Sequence, residues 1–189
     1  EITGNYETAE SLYEQLKNNY TAWENEKLTE YGLFYQMDGY DGMEYSAGGS
    51  GLRPTINAYM YGDALAISKI AQRLGKAEEE QIYKAKAMAI KSRMDGEAHF
   101  YKTLAENQEY QQAPVRELIG YVPWYFNLPD ADKATAWAFL NDEHCFYAPY
   151  GPTTTERCCP DFMKEFDHEC LWNGPSWPFA TSQTLTALG

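Results

Sequence analysis

Three short segments concentrate the residues able to do chemistry. In Gln36-Met37-Asp38-Gly39-Tyr40-Asp41-Gly42-Met43-Glu44-Tyr45-Ser46, three carboxylates fall within seven residues, each beside a glycine or an aromatic ring. A carboxylic acid that donates a proton near neutral pH needs surroundings that disfavour its charged form, and aromatic walls provide them. The same composition also describes a solvated acidic turn. His168-Glu169-Cys170-Leu171-Trp172-Asn173-Gly174-Pro175-Ser176-Trp177-Pro178 places two indoles around Asn and Gly at a helix start. Indole faces stack on sugar rings and an Asn side chain bonds their hydroxyls; two core Trp around a tight turn would read the same way. The third, Arg116-Glu117-Leu118-Ile119-Gly120-Tyr121-Val122-Pro123-Trp124-Tyr125-Phe126, is an aromatic cluster with an Arg–Glu neighbour pair, a composition common in cores.

Other chemistries find less support. Cys145, Cys158, Cys159 and Cys170 all lie in one quarter of the chain, and their spacing is not that of a disulfide framework. A zinc site would recruit Cys158, Cys159, His168 and Cys170, without the usual C-x2-4-C pair; reduced thiols buried as small hydrophobes are the simpler reading. No metal and no cofactor are called for. With 15 Lys+Arg against 28 Asp+Glu, the net charge of −13 repels phosphate backbones, so no nucleic-acid partner is expected. No apolar run approaches the ~20 residues of a membrane span, so no membrane partner is expected either. The opening residues, Glu1 to Asn5, lead almost directly into a helical pattern and leave periplasmic, secreted and cytoplasmic locations open. Aromatics reach 15% of the sequence, enough to fill a large core or line a groove for flat apolar ligand faces.

The elements that must position these segments read as helices. Ala9, Leu12, Tyr13, Leu16, Tyr20 and Trp23 recur at steps of three and four, which predicts an amphipathic helix over roughly 5–23. Residues 32–53 break the pattern with six glycines and form a long loop, a feature usually tied to function. Thr55 is the expected N-cap of a helix carrying Ile56, Tyr59, Met60, Ala64, Ile67, Ile70, Ala71 and Leu74, with Gly75 as its stop. A second helix over about 77–94 has Glu78, Glu79 and Glu80 in its first turn and Lys91 and Arg93 in its last, as the helix dipole prefers. The first is apolar nearly all round and the second along one stripe, the rhythm of inner and outer helices in paired layers. A turn-rich segment or short helix follows over 114–126, then a helix capped by Asp130. A second loop spans about 142–174, and Ser176 caps a final helix with Pro178 in its first turn. No sheet-forming alternation is evident, so the class is mainly α.

Taken together, the segments resemble the (α/α)6-barrel glycoside hydrolases of the processing α-glucosidase and mannosylglycerate hydrolase type, family 63 and its relatives. The resemblance rests on Arg116-Glu117-Leu118-Ile119-Gly120 with Pro123-Trp124-Tyr125, then Tyr150-Gly151-Pro152. The Trp172-to-Pro178 segment, which is similar to the family's W-x-G-P-x-W-P, completes it. It implies a toroid of six helical hairpins, of which residues 1–189 would be a single domain forming the N-terminal or central portion. It also implies an inverting glycosidase acting on α-linked glucosides or mannosides. The family's general acid is an Asp following Gly and Trp, Leu or Met; the matching stretch here is Gly42-Met43-Glu44, so Glu44 takes that place with one extra methylene, and Asp41 is the alternative. The family's base falls beyond this chain, and none of Glu117, Glu156 or Glu169 matches its motif. Trp124, Trp172, Asn173 and Trp177 are expected at the sugar subsites, with Tyr150 and Arg53 as further candidates. A segment carrying half a site would be inactive alone, and its exposed inner faces would drive self-association or completion of the barrel by a partner. Two other readings remain: a carbohydrate-binding protein on the same barrel without catalysis, and a helical interaction scaffold. The scaffold is disfavoured by the lack of a 34-residue repeat and by two loops of roughly 20 residues or more.

Overall fold

The structure is a computed structural model that describes residues 5–94, 100–106 and 109–189, so residues 1–4 of the opening stretch lie outside the described residues. Two helices open it, α1 (Glu7–Ser11) and α2 (Tyr13–Lys27). The single periodic segment expected from the sequence is thus divided at Leu12 and runs on to Lys27. α2 buries Tyr13 and Tyr20. After the glycine-rich loop come α3 (Pro54–Arg73) and α4 (Ala77–Met94). α3 buries twelve residues, among them Ile56, Met60, Ala64 and Ile67, whereas α4 buries only Tyr83, Ala87 and Ile90. Inner and outer roles are therefore distributed as the hydrophobic patterns predict. The helix start differs from expectation: Arg53 is the N-cap residue and Pro54 begins the helix, because the Thr55 hydroxyl donates to Asp41 Oδ2 instead of capping.

A three-stranded antiparallel sheet of two-residue strands, β1 (Gly51–Leu52), β2 (Leu104–Ala105) and β3 (Gln111–Gln112), seats the loop against the helices. Gly51 faces Ala105 and Leu104 faces Gln112. Strands this short offer no alternation to read in a sequence. A 3-10 turn (Leu118–Tyr121) then runs into α5 (Val122–Tyr125), and a longer 3-10 helix covers Ala131–Asn141. The sequence pattern predicts an α-helix for that second segment. Its apolar residues Ala134, Trp137 and Leu140 stand three apart, the interval that superposes side chains in a 3-10 helix. α6 (Pro178–Leu188) closes the order; its N-cap is Trp177, and the Ser176 hydroxyl donates to the Gly151 carbonyl.

Two hydrophobic clusters result. One joins α2, α3 and α4 through Tyr13, Tyr20, Phe34, Met60, Ile67, Tyr83 and Ile90. The other gathers Phe100, Leu118, Tyr121, Phe146, Trp172 and Ala180 around the 3-10 turn and α6. Trp124 packs against both. The architecture is mainly α, with α3 in the core and α4 on its outer side. Among the described residues no helix is long and apolar enough to cross a membrane.

Gly120 sits where the second cluster is tightest. A Cβ there would lie 2.3 Å from the Phe100 ring and 2.4 Å from the Tyr101 carbonyl oxygen. A ring can swing aside, but the carbonyl belongs to the backbone. Gly120→Ala is therefore expected to destabilise the chain by about 1–3 kcal/mol, the usual cost of overpacking, measured as a lower midpoint in urea unfolding.

Candidate active site

The glycine-rich loop is organised by Arg53, whose side chain is completely buried. Its Nη1 donates to Asp38 Oδ1 at 3.0 Å, to the Ser46 hydroxyl at 2.6 Å and to the Gly49 carbonyl at 2.8 Å. Nε lies 3.2 Å from Asp41 Oδ2, an ion-pair separation without hydrogen-bond alignment. Asp41 is nearly buried as well, and its oxygens also accept from the Met43 amide and the Thr55 hydroxyl. Two of the three carboxylates singled out by their spacing are thus committed to holding the loop. Arg53, expected among the sugar-contacting residues, occupies the centre of this cluster.

Glu44 is placed differently. Its side chain is 38% exposed and opens into a cleft of about 400 Å³ lined by Asp38, Gly39, Tyr40, Tyr45 and His168. Oε2 stands 3.3 Å from His168 Nε2, and the His168 ring lies against Tyr45 at 4.8 Å between centroids. Tyr45 holds a positive φ of 54°, which costs a non-glycine residue some backbone strain and is often found at functional loops. Gly39, at φ +88°, makes the approach possible: a Cβ there would stand 3.2 Å from Glu44 Cγ. Spacing alone does not single out Tyr40, Tyr45 and His168 as lining this cleft. The available signal is their presence in or opposite a long glycine-rich loop beside a carboxylate.

The remaining segments close around this loop through a chain of hydrogen bonds. The Trp172 amide donates to the Glu44 carbonyl at 2.9 Å, and the Thr155 hydroxyl donates to the Trp172 carbonyl at 3.1 Å. Thr155 forms an antiparallel bridge with Glu117, flanked by bonds from the Leu118 amide to the Thr154 carbonyl and from the Glu156 amide to the Arg116 carbonyl. The Glu117 side chain returns to the loop at Gly48, where a Cβ would collide with its Oε2. The three segments picked out from the sequence are therefore neighbours in space, joined by Thr153-Thr154-Thr155. The Arg–Glu pair is not the sequential one: Arg116 Nη1 donates to Glu156 Oε2 at 2.8 Å.

The other expected sugar contacts are distributed unevenly. Trp172 is buried and stacked on half-buried Trp177, with centroids 5.7 Å apart and planes 2° from parallel. Trp172 Nε1 and Asn173 Oδ1 are buried without a partner among the described residues, an unusual cost for two adjacent polar groups. Trp124 packs edge-on to Tyr101 and Trp137 between the two hydrophobic clusters. Tyr150 projects freely, 99% exposed. Among the described residues no three His, Cys, Asp or Glu side chains gather as a metal would require. Cys145 is buried, as the thiol reading expects, whereas Cys158 is exposed and Cys159 and Cys170 are partly so.

The model of the mannosylglycerate hydrolase MGH1-like glycoside hydrolase domain matches residues 1–189. The chain belongs to this glycoside hydrolase family. Among solved structures, a protein titled sialidase superposes with a TM-score of 0.92 at 39% identity, over 98% of this chain but 18% of its own. The family 63 mannosylglycerate hydrolase of Thermus thermophilus, in complex with glucose, superposes with a TM-score of 0.77 at 14% identity, over 95% of this chain and 55% of its own. An uncharacterised conserved protein from the same organism gives 0.75 at 14%, over 98% of this chain and 59% of its own. The chain thus spans less than two thirds of each of these structures. No curated protein matches the sequence. The 14% likenesses establish the helical-barrel fold that this glycoside hydrolase family shares with family 63.

Two outcomes follow from the ion cluster. Arg53→Met leaves Asp38 and Asp41 without their cation, and unfolding should become easier by about 3–5 kcal/mol, the cost of breaking a buried pair on one side. Glu117 is buried entirely, which pushes its carboxyl above the ordinary range, while Arg53, the Gly48 amide and Thr103 pull it back. A carboxyl whose folded value is raised stabilises the fold below its unfolded value and loses that contribution as pH rises through the folded one. Glu117→Gln should therefore flatten the decline in stability above about pH 4.5, the ordinary carboxylate value, measured by urea unfolding across pH.

Proposed function

We propose that this chain carries the general-acid half of an inverting active site for α-linked glucosides or mannosides, with Glu44 as the acid. The observation that carries the reading is the contrast among the three loop carboxylates. Asp38 and Asp41 are occupied by Arg53, Ser46, Thr55 and the Met43 amide, whereas Glu44 reaches an open aromatic-lined cleft. Placing Glu44 after Gly42-Met43, where the family has Asp, extends the carboxyl by one methylene toward that cleft. Tyr40 and Tyr45 offer exposed rings on which a sugar can stack.

Glu44 would protonate the leaving glycosidic oxygen while a base activates water on the opposite face, some ~6.5–9.5 Å away. Glu117 and Glu156 are poor bases for this purpose, being buried and engaged with Thr103 and Arg116. By the resemblance to family 63 the base falls in a part of the barrel outside these residues, of which the 189 residues form a single unit. Sugar contacts are assigned to the Trp172, Asn173 and Trp177 segment, which the Trp172 amide ties to the Glu44 carbonyl, and to exposed Tyr150, while Trp124 and Arg53 lie further in. The partner implied is a carbohydrate substrate.

The test uses the longest natural polypeptide containing this sequence, with a panel of α-linked glucosyl and mannosyl disaccharides. Glu44→Gln should lower turnover about 10²–10⁴-fold, as for loss of a general acid, and NMR of the first product should show inverted anomeric configuration. Unchanged turnover would move the role to Asp41 or elsewhere. Sugar affinity without turnover in the parent protein would favour the carbohydrate-binding reading.

A further inference from the structure

We propose that His168 is a positioning residue that supplies Glu44 with the proton it donates, passed from His168 Nε2 to Glu44 Oε2. The inference rests on the reading of Glu44 as general acid and extends it to a residue with no role there. Its basis is the second nitrogen of the imidazole. Nδ1 stands 3.1 Å from the Cys170 amide nitrogen and 3.2 Å from the Cys170 carbonyl oxygen. When Nδ1 is bare it accepts from the Cys170 amide; when it carries a proton it donates to the Cys170 carbonyl. One backbone unit therefore satisfies Nδ1 in either tautomer and in the imidazolium. Nε2 faces Glu44 Oε2 at 3.3 Å, an ion-pair separation without hydrogen-bond alignment, and a small shift of the two partly exposed side chains brings them into line for the transfer. Cys170 is itself fixed to the glycine-rich loop, its thiol donating to the Gly42 carbonyl at 3.4 Å. Ring and carboxyl thus hang from a common framework.

Glu44 and the Tyr45 ring face His168 directly. Asp38 and Tyr40 line the same cleft, and Asp38 is already engaged by Arg53 and Ser46. Both members of the Glu44–His168 pair are about 40% exposed, so in the open cleft water reaches both, and the pair is ionic whenever His168 carries its second proton. A sugar entering the cleft displaces that water, and two charges in a drier site cost more than two neutral groups. The pair relaxes by moving one proton: Nε2 becomes an acceptor, Nδ1–H remains bonded to the Cys170 carbonyl, and Oε2 becomes the hydroxyl of a carboxylic acid. The pair's net charge does not change. On cleavage the acid's proton goes to the leaving oxygen, which keeps the electron pair of the broken C–O bond. Water adds to the anomeric carbon and loses its surplus proton to the base. Glu44 is left as a carboxylate and His168 takes a fresh proton from solvent once the product departs.

Leaving-group dependence separates proton supply from folding or binding. The natural polypeptide is assayed with an α-linked disaccharide, which needs protonation to depart, and with the matching glycosyl fluoride, which does not. His168→Gln, at a partly exposed position, should lose on the order of tenfold in kcat on the disaccharide and far less on the fluoride, with KM little changed. Glu44→Gln should show the same split with a larger loss. Equal losses on both substrates in His168→Gln, or no loss on the disaccharide, overturn the proposal for His168 alone when Glu44→Gln still splits. Absence of the split in Glu44→Gln overturns the reading of Glu44 itself, and absence of turnover in the parent protein overturns both.

Discussion

A buried guanidinium calls for acceptors, and at Arg53 the structure folds a loop around one end of it: Nη1 has three acceptors, whereas Nη2 is buried without a hydrogen-bond partner among the described residues. Taking a cation out of water is expensive unless charge and hydrogen bonds are returned to it. Here Asp38, Asp41, Ser46 and the Gly49 carbonyl return them, and all four belong to the glycine-rich stretch that precedes α3. The loop is therefore tied down at its centre although it has almost no regular structure. Because Arg53 is also the residue from which α3 starts, the inner helix and the loop share one anchor. The direction of Glu44 follows from that anchor, since it lies between Asp41 and Ser46, which are both fixed to the guanidinium.

Backbone hydrogen bonds extend this order across the chain. The loop reaches the segment at 172 through the Glu44 carbonyl, that segment reaches 155 through the Thr155 hydroxyl, and Thr155 reaches 117 by a β-bridge. Glu117 returns to Gly48, so the circuit closes on itself. Such a ring distributes positioning among bonds that are individually worth about 1 kcal/mol. It also explains why residues far apart in sequence can set one cleft while the hydrophobic clusters lie to either side.

Much of this was legible in the sequence. The charge gradient and stop glycine of α4 and α3, the single apolar stripe of α4 and the family segments each correspond to observed elements, since long periodic helices carry strong signals. What escaped was decided by tertiary partners. Thr55 has a capping residue's chemistry but spends its hydroxyl on Asp41. Arg116 stands beside Glu117 yet pairs with Glu156, forty positions later. Spacing of three along Ala134, Trp137 and Leu140 fits two helix types, and packing selects the tighter one. At the candidate site, composition marks the loop and cannot rank its carboxylates, because the ranking depends on which of them Arg53 takes.

The closeness of Gly39 to the Glu44 side chain carries an evolutionary consequence. Where a relative bears Asp at the position of Glu44, its Cγ is the carboxyl carbon, so the acid group itself would stand in the space above Gly39 that a methylene fills here. Gly39, at φ +88°, is favoured by its own backbone conformation beneath either acid, and a Cβ there would crowd whichever Cγ lies above it. Residue 39 should thus remain glycine among homologues whichever acid stands at 44, so that a lineage can change the length of its acid without altering the turn beneath it.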